Sequence, residues 1–387
     1  MFGQSITSIF SLVLIIAFAN LLSKETYGIY RYILAIAGVL NIFTLTGISR
    51  AVSRTVATGN ESVLKTSVIH QLKWNLLMLV AFWLLSGYYL INGNELFSIT
   101  LLILGIFIPP TLALNTYGAY LEGKKEFRIS NIFNIVSVLV YVVSILIAIV
   151  LSGEIIWLII AYAVATFSST IFFYFFTIYK FKPSATGDFK DTLRYGRELS
   201  LINLITPIVS QVDKIILAHF WGTAQLAVYL LALAVPVRAM SFMKNWVTLG
   251  FPKFAKKTRK EIDSVFYRRI FQGMFIGVII AAFYILVSPY LFKYLLPQYT
   301  DGIFYSQILA ISFIFAMPNR YIGLLFESQK LSRLIFTMGV IQSFIVIILY
   351  TILGIVGGIL GLVIAYILNS LISTLIGIII WKNYSRT

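Results

Sequence analysis

Apolar runs of about twenty residues follow one another along the whole chain, separated by short polar stretches. They predict twelve helical spans, at about 2–22, 32–50, 74–91, 97–121, 129–151 and 155–179, then 199–220, 225–250, 270–288, 303–326, 334–353 and 357–381. Runs of this length match the hydrocarbon thickness of a bilayer at helical rise, and barrel strands are half as long. Only helices and closed barrels satisfy every backbone group in lipid, so these runs are read as helices. The most informative polar interruption lies in the seventh span, where Asn203, Thr206, Ser210, Asp213 and Lys214 interrupt the apolar pattern. At 100° per residue these positions fall within about 100° of one face of a continuous helix. A charged pair that deep in hydrocarbon is costly, so the face is expected to look onto a polar cavity or another helix.

Composition agrees with the pattern. Of 387 residues, 59% are hydrophobic and only 11% charged, against roughly a quarter charged in a soluble domain. The class is an all-α integral membrane protein. The absence of cysteine excludes disulfides, thiol catalysis and cysteine metal sites. The formal charge of +16 changes the picture through its placement. Of the 30 Lys and Arg, 23 fall on one side of the spans, three (Lys24, Arg31, Lys293) on the other, and four (Lys214, Arg238, Lys244, Arg320) within spans. The positive-inside rule then puts both termini in the cytoplasm. Anionic membrane lipids, rather than nucleic acid, are the partner this charge implies. Ala17-Phe18-Ala19 has the form of a signal-peptide cleavage site, but no basic region precedes it, so the first segment reads as a retained span.

The chain also repeats internally. Shifted by 199, Gln4, Thr7 and Ser11 fall on Asn203, Thr206 and Ser210, and Tyr30 falls on Tyr229. Shifted by 203, GISRAVSR (47–54) falls on GFPKFAKK (250–257); shifted by 205, Glu122, Lys125 and Arg128 fall on Glu327, Lys330 and Arg333. The expected organisation is a six-helix lobe at 1–180 and a second at 181–387. An even number of spans per lobe makes them parallel repeats around a central cavity.

LLSKETYGIYRYILAIAGV (21–39), GISRAVSR (47–54), AYLEGKKEFRISNIF (119–133) and VSQVDKIILAHFWGTAQLAVYLLALA (209–234) carry a resemblance. The chain is similar over its length to the multidrug/oligosaccharidyl-lipid/polysaccharide exporter superfamily, and within it to the flippases of O-antigen, capsule and exopolysaccharide repeat units. The resemblance implies two six-helix lobes in a V, and export of a lipid-linked oligosaccharide across the bacterial cytoplasmic (inner) membrane. A monomer is expected, working beside a polysaccharide polymerase and other assembly proteins. The duplicate of Arg197-Glu198 would precede Met1, so the expectation is either a start further upstream or a trimmed first helix.

Arg238 is the strongest candidate for chemistry. It lies at the centre of the eighth span, beyond easy snorkelling reach, on a stripe with Ser241, Asn245 and Thr248 at i, i+3, i+7 and i+10. A planar guanidinium there suits bidentate contact with a phosphate; the alternative is a structural tie to helix carbonyls or to Asp213. Lys244 and Arg320 either line the pathway or reach the cytoplasmic face, and Lys214 either lines it or reaches the outer headgroups. Asn203 and Ser210 belong to the same polar face. Arg50 and Arg54 stand at the cytoplasmic end of the second span, as diphosphate ligands or as topology signals. Asp213 serves either coupling or a structural ion pair. His70 and His219 lack the partner spacing of a zinc site or triad, no phosphate loop appears, and no cofactor or metal is expected.

Four cations against one carboxylate within the spans favour an anionic cargo. A polyprenyl-diphosphate-linked oligosaccharide brings about two negative charges and a polar headgroup. A cation-coupled multidrug exporter of the same fold is the alternative, and it needs the buried carboxylates that are scarce here. A membrane-embedded glycan polymerase or ligase needs an outer catalytic surface, whereas the outer loops are short and poor in acids and histidines.

Overall fold

The computed structural model describes residues 2–183, 189–248, 250, 259–329 and 331–386. The second member of the 203-offset repeat, apart from Gly250, and Lys330 of the 205-offset repeat lie outside the described residues. Every regular element among the described residues is helical, and the chain divides into two compact units, Met1–Gln211 and Val212–Thr387.

In the first unit, α1 (Phe2–Leu21) is followed by α2 (Lys24–Leu40), α3 (Gly47–Ala57) and α4 (Val63–Ile91). Then come α5 (Glu95–Leu114), α6 (Thr116–Gly123), α7 (Phe127–Leu151), α8 (Ile155–Phe181), α9 (Lys190–Ile202) and the single turn α10 (Thr206–Val209). Caps fix several of these boundaries. Ser23 accepts from the Thr26 amide at 3.1 Å and starts α2, and Asn94 accepts from the Phe97 amide at 3.1 Å and starts α5. Each satisfies a backbone donor that the first turn leaves open. The second span therefore begins at the Ser23 cap rather than near residue 32, and the chain turns before Gly47 to begin a separate α3. Phe133 stacks on Phe173 at 4.1 Å between ring centroids, tying α7 to α8 in a core that also takes Tyr120 of α6 and Val52 of α3. Where α3 crosses α9 the backbones nearly touch. The Gly47 amide donates to Ser200 Oγ at 2.9 Å, and Ser200 Oγ donates to the Gly196 carbonyl at 2.7 Å.

The second unit comprises α11 (Val212–Trp221), α12 (Thr223–Thr248), α13 (Arg259–Leu295), α14 (Gly302–Leu309), α15 (Phe313–Ser328) and α16 (Ser332–Arg386). Gly358, at φ 55° and ψ −131°, divides α16 in two. Only glycine takes that backbone region without strain, so the eleventh and twelfth expected spans meet there. Trp221 braces this bend, its indole N–H donating to the Gly354 carbonyl at 3.0 Å.

Nine helices among the described residues are long and apolar enough to cross a membrane, and the kinked α16 is one of them. The first expected span is present as the shorter apolar stretch Ile6–Leu21. The seventh is not one helix. It breaks after Ile202, where Asn203 caps α9, resumes for one turn at Thr206–Val209, and restarts at Val212. Pro207 accounts for much of this: it sits in the first turn of α10, where its missing N–H costs nothing, instead of in a helix interior as expected. Pro109, Pro110, Pro236 and Pro318 do lie inside helices.

Candidate polar clefts in the two units

The broken seventh span redistributes its polar residues. Asn203 and Ser210 belong to the first unit and satisfy their own turns: Asn203 Nδ2 donates to the Leu199 carbonyl at 3.0 Å and Ser210 Oγ to the Pro207 carbonyl at 2.8 Å. Asp213 and Lys214 open α11 in the second unit. Lys214 Nζ lies 3.6 Å from Asp213 Oδ1, and the buried Tyr229 hydroxyl donates to Asp213 Oδ2 at 3.0 Å. The single helical face drawn through all five positions does not exist, because the constant turn per residue is lost at both breaks.

Arg238 lies within the unbroken α12 (Thr223–Thr248), so its stripe with Ser241, Asn245 and Thr248 does share one face. Arg238 and Thr248 are half-buried and Ser241 and Asn245 exposed, whereas Met240 and Met243, on the other side of the helix, are buried in the core. The Arg238 guanidinium makes no hydrogen bond or ion pair with any described residue. Two residues earlier, Pro236 removes one intrahelical donor.

Near the end of α12, Lys244, Asn319, Glu327, Gln342, Asn369 and Ser370 contribute to a cavity of about 460 Å3. Its rim is an organised charge cluster. Arg320 donates through Nε to Thr248 Oγ1 and through a terminal nitrogen to Glu327 Oε1, each at 3.0 Å. Glu327 lies two turns beyond Arg320 on α15, which puts both on one face. Inside the cavity, the buried Asn369 carbonyl oxygen has no hydrogen-bond donor.

The first unit holds a counterpart. Arg50 and Arg54 are exposed on α3 and, with Asn115 and Glu122, line a cavity of about 500 Å3. The Arg54 guanidinium lies 5.3 Å from the centre of the Tyr195 ring. Asn115, Gly118 and Glu122 also line an adjoining cleft of about 520 Å3 that runs between α5, α6, α7 and α8. Residues of the two units' clefts correspond along the sequence repeat. Gly118 and Glu122 match Gly323 and Glu327 at an offset of 205, and Tyr162, Thr166 and Ser169 match Tyr366, Ser370 and Ser373 at 204. Sequence reasoning missed this cleft, and it named Glu122 and Glu327 as repeat positions without placing either in a cleft, because they fall just beyond the expected span ends. The spaced polar positions Ser130, Asn134 and Ser137 in an otherwise apolar helix were the available signal.

A further groove, under Arg194 and Arg197, is walled by Trp74, Leu77, Leu201 and Leu204; its apolar lining suits lipid chains. Outside the spans, Glu61 accepts from both Lys124 Nζ, at 2.7 and 2.8 Å, and the Tyr120 hydroxyl, at 2.8 Å. The Lys124 ammonium, and to a lesser degree the Tyr120 hydroxyl, hold the Glu61 carboxyl below its ordinary range. No group of three or more metal-ligating side chains occurs among the described residues.

These units, with paired clefts related by a sequence repeat, define a polytopic all-helical membrane protein. A family model described as polysaccharide biosynthesis protein matches residues 1–256, and the chain belongs to that family. Comparison with curated proteins by sequence returns no match. Among solved structures, the fold is similar to that of the lipid II flippase MurJ in an inward closed conformation, with a TM-score of 0.75 at 15% identity, covering 98% of this chain and 87% of that one. It is also similar to an inward-facing multidrug resistance MATE transporter of the MOP superfamily, with a TM-score of 0.69 at 15% identity, covering 98% of this chain and 96% of that one. A MOP transporter from Pyrococcus furiosus, described as having a binding pocket of reverse polarity, gives 0.62 at 14% identity over 99% and 93%. The all-α membrane fold and the polysaccharide-biosynthesis family expected from sequence are thereby borne out.

Proposed function

We propose that this protein is a flippase that carries a polyprenyl-diphosphate-linked oligosaccharide from the cytosolic to the outer leaflet of the bacterial cytoplasmic membrane, supplying surface polysaccharide assembly. The observation that carries the reading is Arg238, a half-buried guanidinium in the middle of an apolar helix with no hydrogen bond or ion pair to any described residue. An uncompensated charge at that depth costs several kcal/mol, and an anionic cargo supplies the missing partner. The diphosphate presents oxygens suited to the guanidinium fork. Lys244 adds charge nearly two turns further along α12, and Arg320 of α15 meets the same helix nearly three turns along, at Thr248, although Glu327 already engages Arg320.

The positive-inside count orients both termini toward the cytosol. Two negative charges carried outward down an inside-negative potential of about 100 mV release roughly 4.6 kcal/mol, at about 2.3 per charge. The potential alone therefore supplies a driving force. The multidrug alternative needs a free intramembrane carboxylate for a cationic drug, and Asp213 is already engaged by Lys214 and Tyr229.

The test is translocation of a fluorescent polyprenyl-diphosphate-linked glycan in proteoliposomes. Arg238→Ala is expected to lower the rate about 10- to 100-fold, the equivalent of one or two charge-assisted hydrogen bonds. Arg238→Lys is expected to fall between, because it keeps the charge and loses the fork. Full activity in both variants removes Arg238 from the pathway and with it this reading.

A further inference from the structure

The cleft of the first unit differs in chemistry from its repeat-related counterpart. Where the second unit has Arg320, the first has Asn115; where the second has Gly339, the first has Asn134. No cation lines the 520 Å3 cleft. Its walls present the amides of Asn115, Asn131 and Asn134 together with hydroxyls from all four helices around it. These three amides are exposed in the cleft and make no hydrogen bond with any described residue. The hydroxyls of Thr111 and Thr166, by contrast, are turned onto carbonyls of their own helices, at 2.6 and 2.7 Å.

Each free amide offers two donors and an acceptor. At the depth of membrane-spanning helices, leaving such groups against lipid is expensive, so the cleft must present them to water or to a polar ligand. Paired donors and acceptors without net charge suit vicinal hydroxyl and acetamido groups and have no preference for phosphate. The volume falls in the range of small-molecule sites. At one end the cleft shares Asn115, Gly118 and Glu122 with the cavity that holds Arg50 and Arg54, so a compartment without cations adjoins one lined by two, with the Glu122 carboxylate where they meet.

We propose that this cleft is a sugar subsite for the cargo as first loaded, before its diphosphate engages Arg238: Asn115, Asn131 and Asn134 bind the first sugar of the carried glycan while Arg50 and Arg54 hold the diphosphate to which that sugar is joined. The assignment rests on the flippase reading and adds the order in which the cargo is laid along the first unit. It makes the protein selective for a glycosylated carrier over the bare lipid, a distinction that cationic residues alone cannot make.

The experiment measures binding of two probes to the full-length protein in lipid nanodiscs: polyprenyl diphosphate, and the same carrier bearing a single N-acetylhexosamine. The wild type is expected to bind the glycosylated carrier about tenfold more tightly, the equivalent of 1.4 kcal/mol. The double variant Asn131→Ala/Asn134→Ala is expected to lose that increment and keep its affinity for the bare carrier, which also shows that it is folded. Arg50→Ala/Arg54→Ala is expected to weaken both probes by a similar factor. Because the chain has no cysteine, Asn134→Cys introduces a single thiol, whose maleimide labelling the glycosylated carrier is expected to slow at least fivefold more than the bare one. Equal binding of the two probes by the wild type, an increment that survives the double alanine variant, or equal protection of the thiol overturns the sugar subsite and leaves the flippase reading standing. Failure of the wild type to bind either probe refutes the flippase reading itself.

Discussion

A carboxylate is worth what its neighbours make of it, and Glu61 is the clearest case outside the spans. Two contacts to Lys124 and one to the Tyr120 hydroxyl depress its pKa. A depressed carboxyl contributes stability that is present above its unfolded pKa and lost as pH falls through the folded value. Thermal stability of the wild type is therefore expected to drop as pH falls below about 4, the ordinary glutamate range, and Glu61→Gln is expected to flatten that drop. At neutral pH the same variant should cost on the order of 1 kcal/mol, because the side chain is 35% exposed and partly screened by solvent. Melting curves of both proteins across pH 3 to 7 check the two statements together. Arg238 obeys the same logic with the opposite result: it has no hydrogen-bond or ion-pair partner among the described residues, so under the flippase reading its worth is set by the cargo.

At the scale of elements, three glycines decide how helices meet. A Cβ on Gly47 would collide with the Gly196 carbonyl, and one on Gly196 would lie 2.5 Å from Ile48 Cδ1. The first neighbour is backbone and cannot yield, so Gly47→Ala is expected to destabilise by about 1–3 kcal/mol, the usual cost of overpacking. Small residues play this part wherever membrane helices approach closely. Gly358 is held by its positive φ, and a Cβ there would also meet the Trp221 ring at 2.9 Å. Gly358→Ala should cost about 1–3 kcal/mol, read as a lower melting temperature in detergent. α9 and the broken segment after it show how an element can mislead. Its residues have a helical polar period, and Pro207 and the Asn203 cap interrupt the helix regardless.

For the whole molecule, the testable consequence is coupling to voltage. If two negative charges cross with the cargo, an inside-negative potential imposed on proteoliposomes should speed outward movement, and reversing its sign should slow it. A rate that ignores the imposed potential excludes net charge movement in the rate-limiting step. The duplication gives a second consequence at this scale. Lys244 lines the cleft of the second unit, whereas no cation lines the 520 Å3 cleft of the first, so under the flippase reading variants in the two clefts should affect different parts of the cargo.

Hydropathy and charge placement are local properties, written residue by residue, and bilayer thickness converts them directly into spans and sidedness. The sequence alone therefore determined the all-helical membrane class, the approximate helix count, the internal repeat and the family. Arg238 stood out for the same reason, since a single guanidinium in an apolar run is visible without any neighbour. What surrounds a polar side chain is not local. That Asp213 is engaged by Lys214 and Tyr229, that Arg320 reaches Thr248 across 72 positions of chain, and that Asn115, Asn134 and Thr166 face one cavity were decided only by packing. Long-range proximity depends on every helix boundary between the residues, and a proline, a cap or a left-handed glycine shifts those boundaries without altering the hydrophobic pattern.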